Sequence, residues 1–270
     1  MTRAPAAAKI NLALVVGPRR TDGRHELVTV YQRIALSDRI AVERSAALHV
    51  RGFVGDTLVR RALESVADGS GSSFTARVEK RIPVGAGLGG GSTDAATALR
   101  LANGLRDEPL PPAQLHTVAR ELGADVPYFL VDGPQLGTGD GTELAPLDLP
   151  QDYWVLLVLP KGAVKGSTAD VYDAFDGRGG GEGYEERRAN LLETLDRVRR
   201  PRDLAALPPN DLASSPLADE LRGLGAFRAD VTGAGPVVYA LFLHGARARA
   251  ARKQMSPKGR TWLTAPAWYR

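Results

Sequence analysis

Cysteine is absent from the 270 residues, so the chain has no disulfide, no thiol nucleophile and no Cys-ligated zinc or iron–sulfur centre. Histidine is nearly as scarce. His25, His49, His116 and His244 are scattered, with no HExxH-type spacing, which speaks against a catalytic His-bound metal. Long apolar runs are missing too: Val155 to Leu159 and Val237 to Leu243 fall far short of the roughly 20 residues that a membrane helix needs. Lys9 and Asn11 interrupt the apolar stretch near the start, which makes it a poor signal peptide, and a soluble cytoplasmic protein with no membrane partner is expected. Acidic residues stop at Asp230. Beyond it stand seven basic side chains (Arg247, Arg249, Arg252, Lys253, Lys258, Arg260, Arg270), whereas residues 1–230 carry 28 basic against 31 acidic groups. The net charge of +4 is therefore a property of the tail. A nucleic-acid footprint concentrates charge on one face or helix, and this distribution predicts no nucleic-acid partner.

With 43% hydrophobic and 24% charged residues the chain has the composition of an ordinary globular protein, long enough for one large domain or two smaller ones. A Gly/Pro-rich stretch, Gly133 to Pro150, suggests domains at 1–150 and 151–270. Residues 7–16 alternate: Ile10, Leu12, Leu14 and Val16 share one face of a strand, and Lys9 and Asn11 project side by side from the other. Further strands are expected over 27–42, 48–50, 74–78, 153–159 and on both sides of a glycine turn within 230–243. Helices are expected over 56–67, 112–122, 168–175, 184–198, 217–224 and 245–254, with loops at 69–72 and 177–183. Ala95, Ala98, Leu99 and Ala102 have helical spacing, with Ser92 placed to cap the start and Gly104 to end the helix in a left-handed conformation.

Gly85 to Ser92 is the most informative segment, with five glycines in eight residues running onto that helix. Glycines let backbone N–H groups crowd around an anion, and a helix N-terminus carries partial positive charge, so such a loop can hold phosphate without side chains. Gly85, Gly87 and Gly90 match G-x-G-x-x-G, but a dinucleotide fold requires a strand running into the first glycine, and Lys80-Arg81-Ile82-Pro83 interrupts any such strand. Gly91 stands where a Walker loop has lysine, and protein-kinase HRD and DFG signatures are absent.

Three segments, AKINLAL (Ala8 to Leu14), PVGAGLGGGSTDAA (Pro83 to Ala96) and TGAGPVVYALF (Thr232 to Phe242), together resemble the GHMP kinase superfamily in its order and usual separations. TDGRHEL (Thr21 to Leu27), LGADVPYFL (Leu122 to Leu130) and Asn210-Asp211-Leu212 resemble one branch more than the others. That branch phosphorylates the 2-hydroxyl of a cytidine-diphosphate-linked methylerythritol in non-mevalonate isoprenoid synthesis. The resemblance implies a two-domain α+β kinase, with an N-terminal domain shared with a ribosomal-protein fold, a smaller ferredoxin-like C-terminal domain and the active site in the cleft. It also implies ATP and Mg2+.

On this resemblance Asp125 is the base and Lys9 its electrostatic partner, a pairing sufficient for in-line phosphoryl transfer. By local context alone, Asp125 would be a helix cap ahead of Pro127 and Lys9 a surface lysine. Asn11 would orient the substrate hydroxyl, while Pro83, Gly85, Ala86, Gly87, Leu88, Gly89, Gly90, Gly91, Ser92 and Thr93 would cradle ATP. Ser92 is the candidate Mg2+ ligand, and Asp94 is open between a ligand and an acid complementing the helix dipole. His25, Thr168 and Tyr172 would bind the cytidine end, and Thr232, Gly233 and Gly235 would bring backbone against the substrate phosphates. Two positions depart from the pattern: Arg24 replaces the usual stacking Tyr, and Thr57 the usual Asn. Arginine can stack through its guanidinium plane, so Arg24 stays a candidate base contact. Two other readings are a GHMP kinase acting on homoserine or mevalonate, and a catalytically silent relative whose basic tail binds RNA.

Overall fold

Two long strands open the chain: β1 (Thr2–Arg19) and β2 (His25–Ser45) pair as a hairpin about the turn that holds Gly23. The computed structural model describes residues 1–53, 57–67, 73–163 and 167–267. It divides into two compact units, and both strands run from one into the other. The first comprises Met1–Ala8, Leu36–Val84 and Gly89–Asp132; the second comprises Lys9–Ala35, Gly85–Leu88 and the chain from Gly133 onward. The 150/151 division expected from composition falls inside the second unit.

In the first unit the later half of β2 pairs antiparallel with β4 (Ser73–Glu79), and β3 (His49–Arg51) pairs parallel with β4. Alternation decides the faces: Ile40, Val42, Phe74, Ala76 and Val78 are buried, whereas Arg39, Arg77 and Glu79 are exposed. Helix α1 (Thr57–Glu64) buries Val59, Ala62 and Leu63. It packs on α2 (Gly90–Asn103), whose Ala95, Ala98, Leu99 and Ala102 are buried as their spacing predicts. Helix α3 (Pro112–Leu122) takes the expected bounds and stops at Gly123.

Two end-signal expectations for α2 do not hold. Its N-cap is Gly89, left-handed at φ 69°, with no side-chain cap bond, so Ser92 lies inside the first turn and does not cap. A run of three glycines lets the helix begin earlier than the first hydrogen-bonding side chain. Gly104 ends the helix right-handed, at φ −68°, its N–H reaching the carbonyls of Ala102 and Arg100. The loop expected over 69–72 lies outside the described residues, as does Asp56 of the 56–67 helix.

The second unit holds a four-stranded antiparallel sheet in the order β10-β7-β9-β8, built from β7 (Trp154–Pro160), β8 (Arg228–Val231), β9 (Val238–Phe242) and β10 (Gly259–Thr264). Relabelled from its first strand this is 4-1-3-2, the ferredoxin-like order, with α4 (Thr168–Gly177), α5 (Tyr184–Leu195) and α6 (Pro216–Gly223) preceding β8 and α7 (Gly245–Met255) preceding β10. Leu156, Val158, Val238, Ala240 and Phe242 form one core with Ala218 and Leu221 of α6 and Ala248, Ala251 and Met255 of α7. The basic tail is therefore partly structural. Lys258 Nζ pairs with Glu220 at 2.6 Å, and Arg249 and Arg260 lie over the rings of Trp154 and Trp262.

Sequence periodicity missed β10, a 3-10 turn at Pro201–Ala206, and a hairpin of β5 (Gln135–Thr138) and β6 (Glu143–Pro146) inside the Gly/Pro-rich stretch. β5 pairs with residues 29–31 of β2. Among the described residues no helix is long and apolar enough to cross a membrane.

Candidate active site

Strand β1 delivers Lys9 and Asn11 side by side, as the alternation predicts. Lys9 Nζ donates to Asn11 Oδ1 at 2.8 Å, and each residue is 4% exposed. Asn11 Nδ2 donates to Thr29 Oγ1 at 2.8 Å, and that hydroxyl donates to the Ala13 carbonyl at 2.8 Å, so the Asn11 amide cannot turn freely. The Lys9 ammonium also lies 5.3 Å from the centre of the Tyr31 ring. A buried ammonium is retained only where polar partners offset its lost hydration.

Residues 85–88 and the turn after β8 meet at this pair. Lys9 N–H donates to the Leu88 carbonyl at 3.0 Å, and Asn11 N–H donates to Thr232 Oγ1 at 3.0 Å. Gly87 is left-handed at φ +78°, and a Cβ there would stand 2.3 Å from the Thr232 carbonyl oxygen. A Cβ on Gly235 would meet Gly87 N at 2.3 Å, so two backbones touch where only glycine fits. A Cβ on Gly233 would lie 3.7 Å from Lys9 Nζ. Asn210 braces the turn from behind, its Nδ2 donating to the carbonyls of Val231 (3.1 Å) and Gly233 (2.8 Å) and its Oδ1 accepting from Leu212 N–H at 2.9 Å.

A second constellation of the same unit surrounds His25, whose side chain is 4% exposed. Its Nε2 donates to Asp176 Oδ1 at 2.8 Å, its ring stacks on Tyr172 with centroids 4.7 Å apart at 30°, and Phe175 meets it edge-on. Asp176, Tyr172 and Phe175 all come from α4. That helix is fixed by a capping box: Asp170 N–H donates to Ser167 Oγ, and Ser167 N–H donates to Asp170 Oδ2, each at 3.0 Å. Thr168 is exposed as the first residue of α4. Arg24 is ion-paired with Asp140, whose Oδ1 accepts from the Thr142 hydroxyl at 2.6 Å. Burial would raise the Asp140 carboxyl, but the bonds from Thr142 and Arg24 outweigh it and hold it below its ordinary value.

The first unit supplies Gly89 to Thr93 at the start of α2 and Asp125 in the turn after α3. Ser92 is half-buried, and Thr93 is 2% exposed with its N–H bonded to the Gly89 carbonyl at 2.9 Å. Asp125 is half-buried. It stands just ahead of the 3-10 turn Pro127–Leu130, whose cap position is Val126. Buried Val126, Tyr128 and Phe129 anchor the turn behind it.

Beside the α2 start lies a network that the motifs did not disclose. Lys80 Nζ donates to Asp38 Oδ2 at 2.6 Å and to Asp94 Oδ2 at 2.7 Å, and both carboxylates are fully buried. Burial, with the Asp38 carboxylate adding to it and Lys80 opposing it, pushes the Asp94 carboxyl up to about 8. For Lys80 burial works in the lowering direction, but the two carboxylates prevail and hold its ammonium above its ordinary value. Like the pairings of His25 with Asp176 and of Arg24 with Asp140, these contacts join residues far apart in sequence, and no local pattern identifies them.

No group of three or more His, Asp or Glu able to hold a metal occurs among the described residues. Ser92 supplies a half-buried hydroxyl at the glycine-lined helix start, an oxygen donor of the kind that Mg2+ takes.

The GHMP kinases N terminal domain model matches residues 57–133, and the GHMP kinases C terminal model matches residues 207–260. The chain is 36% identical over 285 residues to 4-diphosphocytidyl-2-C-methyl-D-erythritol kinase of Chlorobaculum parvum, covering 98% of this chain and 97% of the relative. Against the protein of the same name from Desulfitobacterium hafniense it is 37% identical, over 87% of this chain and 85% of the relative. Among solved structures, a 4-(cytidine 5'-diphospho)-2C-methyl-D-erythritol kinase superposes with TM-score 0.79 at 32% identity, over 99% of this chain and 100% of the other. A mevalonate kinase at TM-score 0.73 and 12% identity, over 98% and 99% of the two chains, shares the fold. The chain belongs to the GHMP kinases, in the 4-diphosphocytidyl-2-C-methyl-D-erythritol kinase family.

Proposed function

We propose that the chain transfers the γ-phosphoryl group of ATP to the 2-hydroxyl of 4-diphosphocytidyl-2-C-methyl-D-erythritol. One observation carries the reading beyond kinship. Lys9, Asn11, the 85–88 backbone and the Thr232 to Gly235 turn converge in one unit at spacings that exclude any side chain at Gly87 and Gly235. Such a cradle sets glycine backbone beside one ammonium, an arrangement suited to an oligophosphate.

In the reaction the substrate oxygen forms a bond to the γ-phosphorus, the bond to the β-bridging oxygen breaks, and ADP leaves. Asp125 takes the hydroxyl proton. Lys9, its direction set by Asn11, offsets charge on the reacting oxygens, and the glycine loop with the start of α2 holds the phosphates in line. Ser92 would hold Mg2+, which would offset negative charge on the transferring phosphoryl group. His25 and Tyr172 would take the cytosine, with Arg24 and Thr168 at the edge of that subsite. Thr232, Gly233 and Gly235 would face the substrate phosphates.

The test is coupled ADP release with the cytidyl substrate, homoserine and mevalonate, each with and without Mg2+. Turnover of the cytidyl substrate alone, dependent on Mg2+, is expected. Phosphorylation of homoserine or mevalonate without the cytidyl substrate would overturn the specificity.

A further inference from the structure

We infer that Lys80 is a positioning residue for the nucleotide, pinning the first turns of α2 to the sheet of the first unit by bridging Asp94 and Asp38. The inference rests on the proposed use of the α2 start as an ATP phosphate site.

Asp38 in β2 accepts from Ile82 N–H at 2.8 Å and from Arg81 N–H through Oδ1, and from Lys80 Nζ at 2.6 Å through Oδ2. One carboxylate thus fixes the chain leaving β4 just ahead of Pro83 and also holds the lysine. Lys80 in turn holds Asp94, one turn into α2, at 2.7 Å. The packing is tight: a Cβ on Gly90 would meet Ile82 Cγ2 at 3.1 Å and Lys80 Nζ at 3.4 Å. The ammonium therefore sits against the first residue of the helix, where the helix dipole opposes a cation. Only the carboxylates make that position favourable, so the lysine is held as a cross-link between strand and helix.

The link acts on the nucleotide because the amides of Gly90, Gly91 and Ser92 open α2, have no intrahelical acceptor, and belong to the turn that Asp94 anchors. Loss of the cross-link leaves Asp38 and Asp94, both 0% exposed, without the buried donor that joins them. The helix start then shifts, and phosphate-binding amides lose their alignment. A merely structural lysine would alter stability and leave substrate preference untouched.

Lys80→Met is measured for the dissociation constant of a non-hydrolysable ATP analogue by calorimetry and for KM of both substrates. Expected are losses of about tenfold or more in analogue affinity and ATP KM, with KM for the cytidyl substrate changed by less than about twofold. Asp94→Asn keeps the shape and weakens the same link. The double variant Lys80→Met/Asp94→Asn should be no worse than Lys80→Met, because both changes cut one connection. Should Lys80→Met fail to fold, Asp94→Asn and Asp38→Asn carry the measurement alone. Unchanged analogue affinity, equal effects on both substrates, or additive losses overturn the inference. If the wild type binds the analogue but turns over none of the proposed substrate, the proposed function fails while the affinity loss still supports Lys80.

Discussion

His25 and Asp176 are joined by a hydrogen bond of 2.8 Å, from Nε2 of a side chain 4% exposed to a carboxylate on α4. The carboxylate can only accept, so Nε2 is the ring nitrogen that carries a proton. With Tyr172 stacked against it, the imidazole has one orientation.

Asp176→Ala should therefore act on the cytidyl end alone. A hydrogen bond of this kind contributes about 1 kcal/mol, or roughly fivefold in affinity. The expected outcome is a rise of that size in KM for the cytidyl substrate at unchanged KM for ATP, read from initial rates with each substrate varied in turn. Equal shifts in both constants would remove Asp176 from substrate binding.

Gly87→Ala and Gly235→Ala each place a methyl group 2.3 Å from facing backbone, at Thr232 and Gly87 respectively. The backbones must separate by about an ångström, a displacement that costs on the order of 100-fold in rate at a phosphoryl-transfer site. Initial rates on variants with unchanged far-ultraviolet circular dichroism test this. Wild-type turnover by either would show that the close approach is not needed.

Asn210→Ala should be costly for stability. It leaves the Gly233 and Val231 carbonyls and the Leu212 N–H without their buried partner, at about 1–3 kcal/mol for each unsatisfied group. Urea unfolding should give a loss of at least about 2 kcal/mol with an unchanged slope.

Asp94 makes stability depend on pH. Burial holds its folded carboxyl at about 8, against an ordinary value of 3.8, so the folded chain binds the extra proton throughout that window. The resulting stabilisation is complete below about pH 4 and is lost as pH rises through 8. Melting temperatures of wild type should fall from pH 5 to 9 more steeply than those of Asp94→Asn; parallel curves would contradict the assignment.

Much of this site was legible in sequence because its parts are local patterns. Period-two alternation placed Lys9 beside Asn11, helical spacing gave the buried stripe of α2, and clustered glycines marked the cradle. The order of the three family-like segments implied the kinase reading. The remainder depends on contacts that no window contains: Lys80 meets Asp38 across 42 residues, and His25 meets Asp176 across 151. End signals misled where glycine competed with a capping side chain, as at Gly89 against Ser92. The β5 and β6 hairpin was hidden because four-residue strands are too short for alternation to stand out among Gly and Pro.

The central claim is that Asp125 takes the proton from the hydroxyl that Lys9 and the glycine cradle serve. Its most direct test is kcat of Asp125→Asn with both substrates saturating and their binding confirmed by calorimetry. General-base catalysis contributes about 10²–10⁴-fold, so kcat should fall by that factor while both dissociation constants hold. Turnover within about threefold of wild type, with both substrates bound, would contradict the account.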